Sequence, residues 1–345
     1  MYKTILRPIL FRFSAERAHN LIMGALKLVG RIPLGNAALK LLYDHKRKDL
    51  SREVFGIKFP NPVGLAAGLD KNGECYNELG SCGFSFIEIG SLTPEPQDGN
   101  PRPRLFRLPQ DKAIINHMGI NNKGVRHAID NLTKRKPERI IAASIAKNTT
   151  SKSDVEIRKD YESAFSLVYD FVDFITVNVS CPNVKGLQDL QDISYLSDMI
   201  DPLLELRLCY DRYKPLLIKV SPDIPKEELD DIIHYCMLSG VDGIVAGNTT
   251  KTRDGLTTPE ATVKECGEGG LSGAPLFKKS VETVRYIHEK SKGKLPIIGV
   301  GGIMTPEQAK EMLDAGASLI EIYTGFIYEG PGFVKRILKY LEKNK

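Results

Sequence analysis

From residue 54 onward, short apolar runs alternate with longer segments of helical periodicity. The apolar runs are continuous and rich in β-branched residues, which predicts strands buried on both faces. Eight such runs occur, namely PVGLAAG, FIEIG, IIAASIA, FITVNVS, LLIKVS, GIVAG, PIIGVG and LIEIY. Eight strands alternating with helices predict an α/β fold in which a parallel sheet closes into a (β/α)8 TIM barrel.

The segments between the runs have the 3.6-residue period of helices packed on such a barrel. The periodic segments are 121–135, 154–169, 191–209, 225–239, 276–290, 305–315 and 332–343, with a shorter helix-compatible gap at 71–82. Two other connections, 91–118 and 248–275, are too long to be simple turns. Long connections in a compact domain usually carry function.

The first 45 residues follow a different pattern. Residues 14–29 predict an amphipathic helix with Ser14 as its N-cap, and LGNAALKLLYDH predicts a second short helix after Pro33. We therefore divide the chain into a two-helix extension, 1–45, and a barrel domain, 46–345. Two amphipathic helices could lie on a membrane surface or pack as a cap on the barrel, and both arrangements remain open.

Charge is concentrated in the same N-terminal segment. Residues 1–48 contain ten Lys/Arg and two acidic residues, whereas the whole chain has a net charge of +5, so the barrel is mildly acidic. A basic amphipathic segment favours an anionic membrane surface as partner. The basic residues lack interleaved aromatics and a recognisable module, which argues against nucleic acid.

The six cysteines show no C-x-x-C spacing, so they predict a reducing compartment and neither zinc nor an iron–sulfur cluster. The chain shows no cleavable signal and no run of about 18 apolar residues. These features favour a peripheral protein on the cytoplasmic side of the cell membrane. Hydrophobic residues make up 42% of the chain and charged residues 26%, which is ordinary for a globular protein.

In a barrel of this type the chemistry lies at the C-terminal ends of the strands. The expected strand ends are polar residues or glycine, with asparagine and lysine prominent. They include no carboxylate pair for glycosyl transfer and no His/Asp cluster for a metal. An amide side chain both donates and accepts hydrogen bonds, so several amides suit a planar ligand such as a pyrimidine.

The last two strand ends predict a phosphate site. GVGGIMTPEQ places two glycines before a helix, IYTGF follows the eighth strand, and GLSG adds a further glycine turn, although tight turns alone could explain them. A phosphate site beside a planar-ligand site predicts FMN. Lys219, inside LLIKVS, is expected to stabilise negative charge on a reduced flavin, and a salt bridge to Glu88 is the alternative.

Several motifs resemble the dihydroorotate dehydrogenase family over about residues 2–340. They are GLAAGLDKNGE, IEIGSLTPEPQDGNPRPRLFRL, NHMGINNKG, NVSCPN, GLSGAPL, LPIIGVGGI and GASLIEIYTGFIYEGP. The FSAERAH and PRLFRL stretches resemble the membrane-associated, quinone-dependent class 2. The resemblance implies oxidation of dihydroorotate to orotate in pyrimidine biosynthesis, with hydride passing to FMN and electrons to a membrane quinone.

The resemblance also assigns residues by motif. FMN contacts fall on Ala67, Gly68, Lys71, Ser91, Ser144, Asn178, Lys219, Gly247, Gly273, Gly302, Tyr323 and Thr324. Substrate contacts fall on Lys71, Asn116, His117, Met118, Gly119, Ile120, Asn178, Asn183, Asn248 and Thr249. A quinone tunnel would be lined by His19, Arg107 and Tyr323. No obligate protein partner is implied.

Four positions depart from the class 2 pattern. The family's N-R-M-G-F reads NHMGI here, an asparagine that contacts the flavin is replaced by Ser144, and a threonine is replaced by Gly247. Cys181 stands where class 2 enzymes have serine and the soluble class 1 enzymes have cysteine.

We expect Cys181 to be the base that takes a proton from carbon 5 of the substrate. An unperturbed thiol has a pKa of about 8.5, far nearer neutrality than a hydroxyl. Thr249 or a water could relay the proton, and Lys219 would support the flavin. The alternative for Cys181 is a buried apolar filler.

Three other functions remain as alternatives. The chain could be a soluble fumarate-dependent dihydroorotate dehydrogenase, although its N-terminal extension argues against this. It could be another FMN barrel, such as a dihydrouridine synthase acting on RNA. It could also be a non-catalytic phosphate-binding barrel docked at a membrane.

Overall fold

The computed structural model describes residues 2–45, 50–180 and 193–344. Eight parallel strands close into a barrel in which they follow one another in chain order, which confirms the predicted fold. With strands numbered in chain order, the barrel is made of β3 Val63–Leu65, β4 Phe86–Leu92, β7 Ile140–Ile145, β8 Phe174–Asn178, β9 Leu216–Val220, β10 Gly243–Ala246, β12 Ile297–Val300 and β13 Leu319–Ile322.

The barrel strands are buried on both faces, as their continuous apolar sequences predict. One set of side chains packs inside the ring, where Phe86, Phe174, Leu217 and Leu319 belong to one apolar cluster. Ring closure follows from the pairing of β13 with β3, in which Glu321 lies opposite Gly64. The opposite set of side chains packs against the helices.

Most of the predicted helices are present, with shorter boundaries in several cases. The helices are α1 Arg7–Leu10, α2 Ala15–Arg31, α3 Gly35–Tyr43, α4 Tyr76–Gly80, α5 Val125–Lys134, α6 Asp154–Val168, α7 Ile193–Arg207, α8 Lys226–Ser239, α9 Glu260–Glu265, α10 Phe277–Lys290, α11 Pro306–Asp314, α12 Thr324–Glu329 and α13 Phe333–Lys343. The segment predicted as 121–135 begins only at Val125, because Gly124 before it has φ +83°.

The two long connections form a small antiparallel sheet, which their loop-like composition did not predict. Its strands are β5 Leu105–Leu108, β6 Ala113–Asn116 and β11 Gly270–Gly273, with β6 in the centre. Asn116 pairs with Gly270 and Leu105 in this sheet, so residues from both long connections meet. A separate hairpin, β1 Arg52–Val54 and β2 Ile57–Phe59, precedes the first barrel strand.

The N-terminal extension packs on the barrel. Glu16 of α2 forms a salt bridge with Arg104 (2.8 Å), and Lys27 forms one with Glu74 (2.5 Å). The Arg107 guanidinium donates to the carbonyl of Leu10 (3.3 Å) and lies 4.4 Å from the centre of the Phe11 ring. The extension thus docks as a cap, one of the two arrangements that the sequence left open.

The extension also differs in detail from the prediction. A helical turn, Tyr2–Leu6, and α1 precede the two predicted helices. Ser14 occupies the N-cap position of α2, but its side chain makes no capping hydrogen bond. Leu34 and Leu41 are more than 80% exposed, so the extension presents apolar side chains outward. Among the described helices, none has the length and apolarity needed to cross a bilayer.

The aromatic cluster inside the barrel predicts a large cost for truncating Phe174, which is fully buried against Phe59 and Phe86. Phe174→Ala should lower the free energy of unfolding by about 3–5 kcal/mol, through lost burial and a residual cavity. The matched control is Phe171→Ala, since Phe171 is 40% exposed and should cost about 1 kcal/mol or less. Equal shifts of the urea midpoint in the two variants would contradict this account.

Candidate functional site

A cavity opens at the C-terminal ends of the barrel strands and collects most of the residues expected from the sequence. The expected residues that line it are His19, Ala67, Gly68, Lys71, Ser91, Asn116, Met118, Gly119, Ile120, Asn178, Lys219, Gly247, Asn248, Thr249, Gly273, Gly302, Tyr323 and Thr324. They come from strands, long connections and the extension, so only the closed fold brings them together.

Amide and hydroxyl groups form a connected chain on one side of this cavity. Asn178, at the end of β8, donates from Nδ2 to Ser91 Oγ at 2.9 Å. Asn248 donates from Nδ2 to Ser180 Oγ (3.1 Å) and lies 3.4 Å from Asn178 Oδ1. Thr249 also lines the cavity, and its buried hydroxyl oxygen has no hydrogen-bond partner among the described residues. This side therefore offers fixed donors and acceptors to a polar planar ligand.

Lys219 brings a positive charge to the floor of the cavity. Its Nζ lies 3.1 Å from Glu88 Oε2 and 3.9 Å from Glu321 Oε2, within the barrel interior. Glu88 Oε2 also accepts the backbone N–H of Ala67 at 3.0 Å. The salt bridge to Glu88 therefore exists, and Lys219 lines the cavity as well. The salt bridge to Glu88 and the expected position of Lys219 beside a cofactor are therefore compatible.

Glycine turns line the opposite side, after β11, β12 and β13. Gly273 has φ +106° and Gly302 has φ +74°, both in the left-handed region. A Cβ on Gly302 would lie 2.4 Å from the Phe277 backbone, so tertiary packing itself demands glycine there. Thr324, at the start of α12, contacts Ser272 through their hydroxyls at 2.8 Å. Glycines and hydroxyl side chains therefore line this side, a combination that suits an anion.

Three ionisable groups line the part of the cavity under the extension. Burial, and secondarily the charge of Lys71, lowers the pKa of His19 to about 3, so its imidazole is neutral. Burial lowers the pKa of Lys71 to about 8, and its Nζ donates to the Gly68 carbonyl at 2.6 Å. Burial raises the pKa of Tyr323 to about 12, and its hydroxyl donates to the same carbonyl at 3.3 Å.

Three expected residues do not line the cavity. Ser144 is fully buried behind Ser91, with the two hydroxyl oxygens 2.8 Å apart. His117 turns its Nε2 to the Pro103 carbonyl at 3.0 Å. Arg107 is engaged with backbone carbonyls of the extension. Cys181 and Asn183 lie outside the described residues.

The cavity also includes residues that the sequence reading missed. They are Ala66, Leu105, Ile114, Asn121, Ser272, Leu276, Val300, Ile303, Glu321, Ile322 and Gly325, while Gly301, one of the two glycines of GVGGIMTPEQ, lines the cavity as expected. Most are apolar or small and carry no sequence signal of a site. Glu321 did have a signal, because LIEIY is an apolar run interrupted by one charge, as LLIKVS is at Lys219.

The donor set fits a phosphorylated planar cofactor. Apolar side chains such as Leu105, Ile114 and Val300 line the same cavity as the amides and the glycine turns. The unpartnered Thr249 hydroxyl and the buried Asn121 Oδ1 are polar atoms that a ligand could satisfy. Within the described ranges, no group of three or more His, Cys, Asp or Glu side chains could hold a metal ion.

Comparisons with known proteins identify one family. The family model described as dihydroorotate dehydrogenase matches residues 49–344. The "Dihydroorotate dehydrogenase (quinone)" of Christiangramia forsetii is 46% identical over 344 residues, covering 99% of each chain. That of Idiomarina loihiensis is 42% identical over 99% of this chain and 100% of its own.

Solved structures with a similar fold belong to the same family. The crystal structure of DHODH from Eimeria tenella in complex with ferulenol has a TM-score of 0.85 and 33% identity, covering 95% of this chain and 91% of its own. The ligand-free form has a TM-score of 0.86 and 32% identity, covering 95% and 94%. The chain therefore belongs to the dihydroorotate dehydrogenase family, because the family model spans most of it and full-length relatives and solved structures share its sequence and its fold.

Proposed function

We propose that this chain is the quinone-dependent dihydroorotate dehydrogenase of pyrimidine biosynthesis, with FMN as its resident cofactor. The observation that carries the proposal is the single cavity in which amides, lysines and glycine turns converge at the strand ends. Full-length relatives named dihydroorotate dehydrogenase (quinone) support the same reaction and favour quinone over fumarate as acceptor.

The cavity residues would hold FMN by its two unlike ends. Gly273, Gly302 and Thr324 would surround the phosphate, because glycine allows the backbone N–H groups to approach closely. Ser91, Asn178 and Lys219 would face the ring, together with Ala67, Gly68, Tyr323 and the backbone of Gly247. FMN, when bound, supplies the hydride acceptor that amino-acid side chains lack. Ser144 would act only through Ser91.

Dihydroorotate would bind against the amide side of the cavity. Asn116, Asn178 and Asn248 offer paired donors and acceptors to the carbonyl and N–H groups of a pyrimidine ring. Lys71 would pair with the substrate carboxylate, and its buried position strengthens that attraction. Met118, Gly119 and Ile120 would close the site from the strand β6 side, and Asn183 is proposed as a further amide contact.

Cys181 is proposed as the base that removes the carbon 5 proton, opposite the face from which hydride leaves carbon 6. The position rests on the NVSCPN motif, which begins at Asn178, the last residue of β8. Thr249 would relay the proton, since it lines the cavity and its buried hydroxyl has no hydrogen-bond partner in the described part of the chain. A thiol needs less help than a hydroxyl, because its pKa lies nearer neutrality.

The quinone would enter beneath the extension. His19 and Tyr323 line the cavity there, and the neutral imidazole of His19 suits an uncharged quinone head. Arg107 would shape the entrance by holding Leu10 and Phe11 rather than by contacting the quinone. The outward leucines and the basic charge of the extension would place it on the cytoplasmic face of an anionic membrane.

The decisive experiment is a visible spectrum of the purified protein followed by acceptor assays. We expect flavin absorbance that dihydroorotate bleaches without oxygen, and steady turnover with a quinone but not with fumarate. Turnover with fumarate alone would refute the quinone assignment. A colourless protein that takes up no FMN would instead support the non-catalytic phosphate-binding barrel.

Replacing Cys181 tests the base. Cys181→Ala should abolish turnover while FMN stays bound, because carbon 5 then has no group to take its proton. Cys181→Ser should shift the pH–rate profile toward higher pH. Cys209→Ala is the matched control, since Cys209 is exposed and should leave the rate unchanged. Normal turnover in Cys181→Ala would overturn the assignment.

The pKa of Lys71, about 8, predicts a pH dependence of product binding. Only the protonated amine attracts the orotate carboxylate, so below pH 8 affinity should be constant. Above pH 8 the Kd should rise by about tenfold per pH unit, as expected for a single proton. Calorimetry in the Cys181→Ala background isolates this titration from that of the thiol.

Two variants control this measurement. Lys71→Gln should bind orotate weakly and with no pH dependence, whereas Lys123→Ala should behave like the parent because Lys123 is exposed and pairs with Glu74. A Kd that stays flat up to pH 10 in the parent protein would contradict the proposed role of Lys71.

A further inference from the structure

Beneath the cavity, the barrel interior contains a polar layer that extends beyond the groups with a role in the proposed reaction. Lys219, Glu88 and Glu321 project into it from β9, β4 and β13, one layer above the buried Leu217, Phe86 and Leu319. The carboxylates are fully buried, and the side chain of Lys219 is 7% exposed. Two acids therefore share one base inside the ring.

The two carboxyl groups are not equivalent. Glu88 holds Lys219 at 3.1 Å and also accepts the Ala67 N–H, so its negative charge is compensated. Glu321 is 3.9 Å from Lys219, and neither of its oxygens has a hydrogen-bond partner among the described residues. A buried carboxylate without hydrogen bonds is costly, whereas a neutral carboxylic acid is far less so.

No other charge in the described structure offsets Glu321. Its neighbours across the sheet are Gly64 on β3 and Val300 on β12, which are uncharged. Burial raises the pKa of Glu321 well above its usual range, the nearby Glu88 raises it further, and Lys219 only partly opposes them. The geometry and the electrostatics thus both favour the protonated, neutral form of Glu321.

We propose that Glu321 is a neutral carboxylic acid at physiological pH and that this single proton sets the charge of the cavity floor. With the proton in place, Lys219 and Glu88 cancel and the layer is neutral. Without it, the layer carries one net negative charge beside the bound cofactor. Because both Glu321 and Lys219 line the cavity, the proton controls how much of the lysine charge reaches the ligand.

This gives Glu321 a positioning role in the proposed reaction, on which the consequence for FMN rests. A neutral floor leaves Lys219 able to stabilise negative charge that arrives on the ring, and an extra negative charge would oppose it. Loss of the proton at high pH should therefore make the bound flavin harder to reduce. The protein would tune its cofactor through an acid that does not itself react.

Infrared spectroscopy of the holoenzyme tests the proton directly and needs no substrate. The wild-type minus Glu321→Gln difference at neutral pH should contain the carbonyl band of a protonated carboxylic acid, which shifts in heavy water. Loss of carboxylate bands alone would overturn the proposal. Glu329→Gln is the matched control, because Glu329 is buried but bonded to Arg336 at 2.9 Å, and it should lose only carboxylate bands.

A second variant tests the sharing of one base by two acids. In Glu88→Gln, Glu321 becomes the remaining buried carboxyl near Lys219, so it should ionise and the acid band should vanish although Glu321 is present. Persistence of the band would refute the coupling. The Glu88→Gln variant also tests the proposal if Glu321→Gln does not fold.

The reduction potential of the bound flavin tests the consequence. Titrated against pH, the potentials of the wild type and of Glu321→Gln should coincide at low pH and diverge above the pH at which Glu321 ionises, with the variant higher. A higher potential in Glu321→Gln already at neutral pH would show an ionised Glu321 and overturn the proposal. The infrared result stands whether or not dihydroorotate is the substrate, so the two proposals can fail separately.

Discussion

The closure of eight parallel strands into one ring is the constraint on which the rest of this protein depends. Parallel strands all end at the same edge, so groups far apart in sequence, such as Ala67 and Tyr323, meet at one mouth. The pairing of β13 with β3 joins the two ends of the barrel sequence and completes the cavity. Without closure, the strand ends would be spread along one open edge instead of surrounding a cavity.

Closure also creates an interior that must be filled. The lower layer is apolar and packs through aromatic contacts such as Phe86 with Phe174. The layer above it is polar, and there Lys219 depends on Glu88 for compensation. Breaking a buried ion pair typically costs about 3–5 kcal/mol, because one charge is left uncompensated. The buried ion pair at the floor of the cavity is therefore part of the stability of the barrel.

Elements outside the barrel complete the lining of the cavity at the strand ends. The antiparallel sheet of β5, β6 and β11 brings Asn116 and Gly273 to the cavity, and the extension adds His19. Ion pairs such as Glu16–Arg104 attach the extension next to this sheet, because Arg104 directly precedes β5. A covered cavity excludes water and strengthens each electrostatic contact within it.

The sequence predicted the barrel well because its signal is local. Each apolar run specifies a buried strand, and each periodic segment specifies a helix, so eight repeats leave few alternative folds. The long connections were harder, since β5, β6 and β11 are short and acquire their strand character only by pairing with one another. The helical turn at Tyr2–Leu6 likewise depends on contacts such as Tyr2 with the Ile327 carbonyl.

The sequence by itself determined the fold class, the strand ends that line the cavity and the family to which the chain belongs. Tertiary structure alone decided which of those residues face the cavity. It placed Ser144 behind Ser91 and Arg107 against the extension, and it brought Glu321 to Lys219 and Glu88 from a distant strand. The reason is physical, because residue type follows local burial, whereas orientation and protonation depend on neighbours that only the closed ring supplies.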